Sequence, residues 1–474
     1  MNRIAANRGR GFLSGMIAGL LLGAGSAQAV TLQEAIAHTI ETNPEVLIGL
    51  NRFRAGKEQI AVERASFLPK IDLDASYGLK KREYDLGSTD EDSDDKIFET
   101  GFSLQQKLFD GYKTKYRVQS ARHMNDFRSI LLRETAQSVA LRVAEVYLKV
   151  LRAQQLVELA RENLAVHDEI YDQTFQKAGS GLARNSDLEQ IRSRRARASA
   201  NLVNAINGIS NARSEFFSIA NIKPKSLVMP QLDTSLLPMT LDDALSVAGQ
   251  HSPAIRAAGA EVLAMEARAK SSESYRWPTV DLALDKTWND TNSDIDATDG
   301  KTDDLGVMVN LSYSLYSGGA NSALKREAFY QVEEARAVRD LQFREVMKEV
   351  RLAWDGYVYM AGRMNYLKEH VEASREVARE YQQQFRLGKR SLLDLLDTEN
   401  ELFQAQQDFI AVVHDELYSR FRILKNTGKL LETLNISLPH TMRERLDYVA
   451  GRAQSSEEEV RDWIDFTADL LPDL

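Results

Sequence analysis

Two hydrophobic periods alternate along the chain. Val139, Val143, Val146, Val150, Ala153, Val157, Ala160, Leu164, His167, Tyr171 and Thr174 recur at four-three spacing. Val346, Val350, Ala353, Tyr357, Met360, Met364, Leu367, Val371, Ser374, Ala378, Tyr381 and Phe385 repeat the pattern. A period of about 3.5 residues held this long predicts helices in left-handed coiled coils. Lys113 to Ala178 contains neither glycine nor proline, so that helix would run roughly 100 Å at about 1.5 Å per residue. Such a length exceeds a bilayer several-fold, and the helices must project away from any membrane the chain enters. A return helix keeps the register through Leu188, Ile191, Ala198, Leu202, Ala205, Ile209, Ala212 and Phe216.

Upstream of each coiled segment the period changes to two. Ile71, Leu73, Ala75, Tyr77 and Leu79 share one face of Lys70–Leu79, and Phe98, Phe102, Leu104 and Leu108 alternate in its partner. Val280, Leu282 and Leu284 are matched in the same way by Val307, Val309, Leu311, Tyr313 and Leu315. About ten residues of alternation is the length of a transmembrane β-strand. The acidic runs between partners, Asp90–Asp95 and Asn289–Asp294 with Asp303 and Asp304, read as solvated loops without EF-hand spacing. Closed membrane barrels need about eight strands or more, and an open edge is not tolerated in hydrocarbon. Four strands per chain therefore predict one barrel shared between several chains.

The chain is an internal duplication. Thr31-Leu-Gln-Glu-Ala…Asn43-Pro44 returns as Thr240-Leu-Asp-Asp-Ala…Ser252-Pro253, Phe67-Leu-Pro69 as Arg276-Trp-Pro278, and Leu108-Phe-Asp-Gly111 as Leu315-Tyr-Ser-Gly318. The separation is 209 residues between Pro44 and Pro253 and 207 between Gly111 and Gly318. A repeat this long describes two similar halves rather than a solenoid. Each half reads helix, strand, loop, strand, long helix, turn, helix. The boundaries are a first repeat at 30–222, a proline-containing linker at 223–239, a second repeat at 240–436 and an acidic C-terminal tail at 437–474.

Composition then narrows the class. The net charge of −9 leaves no basic footprint and argues against nucleic acid. There is no cysteine, hence no disulfide, thiolate metal site, catalytic thiol or lipid-bearing cysteine. Arg3, Arg8 and Arg10, the apolar run Phe12–Ala24 and Ala27-Gln-Ala29 form a secretory signal peptide over 1–29. No His-Glu-x-x-His, Gly-x-Ser-x-Gly or Gly-x-Gly-x-x-Gly occurs, and Gly300-Lys-Thr302 lacks the first glycine of a phosphate loop, with Ile295 in its place. No enzymatic activity, cofactor or metal is expected. His167 reads as a packing residue on its seam, and Arg192, Arg194, Arg195 and Arg197 as a solvated helix face, with contact to an adaptor as the alternative.

Candidate chemistry concentrates in Phe385-Arg-Leu-Gly388-Lys-Arg390-Ser-Leu-Leu-Asp394-Leu-Leu-Asp397. Gly388 is the only glycine between Gly362 and Gly428, so two antiparallel helices would meet there. Asp394 and Asp397, three residues apart, share one face of the returning helix, where carboxylates suit the helix N-terminus. The stretch has a twin in Gly181-Leu-Ala-Arg-Asn-Ser186-Asp187, with Gly181 matching Gly388 and Asp187 matching Asp394.

These motifs together resemble the TolC family of outer-membrane efflux and export proteins over about Thr31 to Ile436. The resemblance implies a mainly α fold with a membrane β-barrel portion: a homotrimer whose 12-stranded barrel continues into a periplasmic α-helical tunnel. It implies that Gly181 and Gly388 sit at the periplasmic tip, and that Asp394 and Asp397 form carboxylate rings that narrow the aperture and favour cations. Arg390 matches the family residue that holds the aperture closed, with Ser186 and Asp187 as its partners on the neighbouring coil. Phe385 stands where a prototype has tyrosine, which removes a closing hydroxyl. Implied partners are outer-membrane lipid, a periplasmic membrane-fusion adaptor and an inner-membrane ABC transporter or proton-driven pump. The favoured function is the exit duct of a type I protein secretion system. The alternatives are the outer-membrane component of a multidrug efflux pump and a periplasmic coiled-coil scaffold without a channel.

Overall fold

The computed structural model describes residues 30–85, 90–293 and 300–436. The expected signal peptide over 1–29 and the tail over 437–474 lie outside the described residues. The first half runs α1 (Leu32–Thr42), α2 (Pro44–Ala65), β1 (Lys70–Asp85), β2 (Asp90–Phe109), α3 (Lys113–Gly179) and α4 (Asn185–Ala220). The second runs α5 (Leu241–His251), α6 (Pro253–Ser272), β3 (Thr279–Asn292), β4 (Gly300–Ser312), α7 (Ala320–Arg386) and α8 (Leu392–Asn426), followed by the short α9 (Leu430–Thr433). Where the sequence predicts one helix before the strands, each half has two. The break falls on the residue before a proline, which is driven out of the helical region. Asn43 is extended, its side chain accepts the Glu45 N–H at 2.9 Å, and Pro44 starts α2, where its missing N–H costs nothing.

The strands form one antiparallel sheet in the order β1-β2-β3-β4. Its register sets Ile71 opposite Leu104, Leu73 opposite Phe102 and Tyr77 opposite Phe98. Leu284 then lies opposite Leu104 and Val307, and Val280 opposite Leu311. One face is thus continuous and apolar, and it is exposed: Leu79 is 77% accessible and Leu73 72%. The other face carries Asp72, Asp74, Glu99, Asp281, Asp285 and Asp304. Both acidic runs read as loops in fact continue the strands: Asp90–Asp95 opens β2, Asn289–Asn292 closes β3, and Asp303 and Asp304 lie in β4. Hydrophobicity marks only the apolar stretch of each strand, whereas the hydrogen-bond ladder continues beyond it. Opposite charges support that continuation, with Lys80 facing Asp95, Lys81 facing Asp94, and ion pairs Lys286–Asp303 and Lys301–Asp290. At the other end β4 stops at Ser312, opposite the first residue of β3, so Tyr313 and Leu315 fall outside the strand.

The two long helices, α3 and α7, have 67 residues each. The main core is a collar around α3, where α1 places Leu32, Ile36 and Ile40 against Val139, Val143 and Tyr147, and the ends of α4 and α8 add Phe216, Phe421 and Leu424. The linker crosses this collar as an extended segment tied down by Tyr147. The Tyr147 hydroxyl accepts the Val228 N–H at 2.9 Å and lies 2.7 and 2.9 Å from the carbonyls of Val228 and Val30. Burial pushes the Tyr147 phenol pKa up, so the group stays neutral and able to donate. Tyr147→Phe is expected to destabilise the helical portion by about 1–3 kcal/mol by leaving buried backbone groups unpaired. Thermal unfolding followed by circular dichroism measures the loss, and an unchanged midpoint would contradict this role.

Candidate functional site: the tip of the paired helical hairpins

The α3–α4 and α7–α8 turns are built identically. Leu182 N–H donates to the Lys177 carbonyl at 2.8 Å and Gly181 N–H to Ala178 at 3.0 Å; Lys389 and Gly388 repeat these bonds to Gln384 and Phe385. This double bond pattern needs a left-handed residue after the helix, and Gly181 and Gly388 supply it with φ of 74° and 71°. Both glycines therefore occupy the hairpin tips, as the sequence implies.

Beneath the turns a separate apolar cluster joins all four helices. Ile170 of α3, Ile191 of α4, Phe385 of α7 and Leu392, Leu395 and Leu396 of α8 are buried together, flanked by Tyr171, Leu188 and Tyr381. Phe385 is thus a core residue. It takes part in a link between coils through its backbone and ring, since Lys177 Nζ donates to its carbonyl at 2.9 Å and lies 4.1 Å from its ring centroid. Two ion pairs bridge the same coils: Arg386 Nη2 to Glu169 Oε1 at 2.6 Å and Arg194 Nη2 to Asp397 Oδ1 at 3.0 Å. Exposed pairs of this kind contribute about 0–1 kcal/mol each, while truncating a buried leucine costs roughly 2–5 kcal/mol. The apolar cluster dominates cohesion of the tip, and the ion pairs set its charge.

The predicted aperture residues divide into separate contacts within the chain. Asp394, in the first turn of α8, donates its N–H to Ser391 Oγ at 3.2 Å, and its carboxylate lies 3.6 Å from Arg390 Nε. Arg390 stacks on Tyr381, 3.8 Å from guanidinium carbon to ring centroid, and its Nε is buried without a hydrogen-bond partner in the chain. Asp397 instead meets Arg194. Ser186 and Asp187 stay at the start of α4, where Asp187 Oδ2 accepts the Arg184 N–H at 3.4 Å and Ser186 Oγ lies 3.5 Å from Asp187 Oδ1. Neither contacts Arg390 within the chain.

Sequence reasoning missed Lys177, Glu169 and Arg194, because their significance lies in contacts between coils. Arg192, Arg195 and Arg197 are exposed, as a solvated face requires, and Arg194 alone is half-buried. Arg194 reaches Asp397, and Arg195 pairs with Asp168 while lying over Tyr171. His167 is buried as expected, with Nδ1 2.8 Å from the Asn163 carbonyl, and burial and then the Arg194 charge hold its pKa down. Two residues beyond Asp397, burial pushes the Glu399 pKa up, reinforced by the Glu169 charge. A raised carboxyl pKa stabilises the fold below the ordinary glutamate value, and that stabilisation is lost as pH rises through the raised value. Glu399→Gln should therefore raise the thermal midpoint at about pH 8 and leave it unchanged near pH 4. An equal effect at both pH values would show that charge is not the cause.

Comparison with known proteins places this geometry. The family described as "Outer membrane efflux protein" matches residues 35–220 and again 244–428. The chain is 25% identical to the outer membrane efflux protein BepC of Brucella suis, across 88% of this chain and 89% of that one. It is 24% identical to the outer membrane protein TolC of Vibrio cholerae, across 85% and 92%. It is likewise 24% identical to the alkaline protease secretion protein AprF of Pseudomonas aeruginosa, across 87% of each. The fold superimposes on the Campylobacter jejuni CmeC outer membrane channel with a TM-score of 0.74 at 15% identity, covering 87% of this chain and 90% of that one. The exposed apolar sheet is accordingly the barrel portion and the long helices the periplasmic portion. The chain belongs to the outer membrane efflux protein family, as a non-enzymatic outer-membrane channel that extends into the periplasm.

Proposed function

We propose that the protein is a homotrimeric exit duct of a type I protein secretion system. It is engaged at its periplasmic tip by a membrane-fusion adaptor and an inner-membrane ABC transporter. The observation that carries the secretion reading is the near full-length similarity to AprF, whose name records protease secretion. BepC, of comparable similarity and named for efflux, favours the second reading, a multidrug efflux duct with a proton-driven or ABC pump.

Assembly follows from the internal repeat. Within the chain, β2 pairs with β3, α3 packs on α6, and Gly111 fits so closely that an added Cβ would lie 2.5 Å from the Ser274 carbonyl oxygen and 3.0 Å from Trp277 Cβ. The corresponding surface of the second half is bare: nothing lies within 4 Å of a Cβ on Gly318, and Leu315 and Tyr316 are 90% and 87% exposed. A second copy supplying β1 and α2 would cover it as β3 and α6 cover the first half. Three copies complete the 12-stranded barrel and bring Asp394 and Asp397 around one axis at the aperture. Arg390, whose Nε makes no hydrogen bond within the chain, then faces Ser186 and Asp187 of a neighbouring protomer.

Deleting the gene is expected to remove one large polypeptide from the medium or cell surface without changing dye accumulation. Unchanged secretion with raised dye accumulation would select the efflux reading instead. In planar bilayers, Arg390→Ser should raise the conductance of the resting channel, and unchanged conductance would remove Arg390 from the closing contacts.

A further inference from the structure

We propose that Arg194 is a specificity-determining residue of the aperture, masking Asp397 so that the two carboxylates of each chain are not equivalent. The inference rests on the aperture reading above and refines it. Arg194 Nη2 lies 3.0 Å from Asp397 Oδ1, joining α4 of one coil to α8 of the other. The arginine side chain is 28% exposed and the aspartate 59%, so the stem of Arg194 is held against protein while its head pairs with a surface carboxylate. Among the described residues no other cation pairs with Asp397.

Asp394 is held differently. Its cation is Arg390, at 3.6 Å and four residues earlier on the same segment. That guanidinium is committed to the Tyr381 ring, with its Nε outside hydrogen-bond geometry. Arg390 and Asp394 travel together whatever the coils do, whereas Arg194 and Asp397 part when the coils separate. Asp397 is the more exposed carboxylate, at 59% against 47% for Asp394, so the masking is by charge and not by cover: Asp397 has a guanidinium in hydrogen-bond contact at 3.0 Å, whereas the cation of Asp394 stands off at 3.6 Å. Movement of α7 and α8 away from α3 and α4 unmasks Asp397 and adds one uncompensated negative charge per chain as the passage widens. The sequence carries the necessary types, a basic cluster and an acidic pair, but they lie 203 residues apart and only the fold joins them.

The test is block of the reconstituted full-length channel by hexaamminecobalt(III), a compact trivalent cation, in planar bilayers. Arg194→Gln should tighten block about threefold by freeing a local carboxylate, and Arg194→Lys, which keeps the charge, should leave block as in the wild type. Asp394→Asn should weaken block more than Asp397→Asn. The tightening by Arg194→Gln should fall below half in an Asp397→Asn background. Tightening that is absent, or that persists at half or more in that background, would overturn the masking. The arginine would then act only as a distant charge. If the double variant Asp394→Asn with Asp397→Asn blocked like the wild type, the aperture reading itself would fail, whatever Arg194 did.

Discussion

Hydrocarbon has no water to satisfy the edge of a β-sheet, and each unpaired backbone group there costs several kcal/mol. The sheet of this chain has an outer face that only lipid can cover and two open edges, β1 and β4. A four-stranded sheet cannot roll onto itself, since an interior wide enough for side chains takes about eight strands. The proposed trimer turns these edges into interfaces between copies, and much of the rest of the molecule is consistent with that closure. Half two stays bare at Leu315 and Tyr316, where half one is packed around Gly111 and Trp277. Tyr366 of α7 is 77% exposed where its counterpart on α3, Leu159, is buried.

The far end obeys a different balance. The four helices converge on a small apolar cluster of Ile170, Ile191, Phe385, Leu395 and Leu396, and the charges around it contribute little to cohesion. This division suits an aperture. A cluster of modest size holds the tips together yet can be parted by a partner, while the ion pairs determine which charges face the passage before and after. The polar sheet face, with Asp72, Asp74, Asp281 and Asp285, continues the acidic character at the opposite end.

Much of this was legible in the residues because the governing forces are periodic. The four-three seam marked α3 and α7, alternation marked the lipid-facing parts of the strands, and Gly181 and Gly388 marked turns that require positive φ. What escaped was set by pairing rather than by period. The strands extend through Asp90–Asp95 and Asn289–Asn292 because a ladder of hydrogen bonds and opposite charges continues where hydrophobicity ends. The first helix of each half divides at Asn43 and Ser252 because proline disfavours helix in the residue before it. Phe385, Arg194 and Lys177 acquire their roles from contacts that cross between coils, which no local window contains.

Pairing of β4 with β1 of the next copy is the central claim, and the absence of cysteine makes it directly measurable. The register of β2 on β3, carried over by the internal repeat, sets Leu311 opposite Ala75 of a neighbouring copy. Within one chain those positions lie on opposite edges of the sheet and eight residues out of register, roughly 30 Å apart at about 4.8 Å per strand and about 3.4 Å per residue, too far for a disulfide. Oxidising the channel carrying Ala75→Cys and Leu311→Cys in membranes should give a ladder of covalent dimers and trimers that ends at the trimer. Monomers alone, or a ladder continuing beyond three, would contradict the closed three-copy barrel.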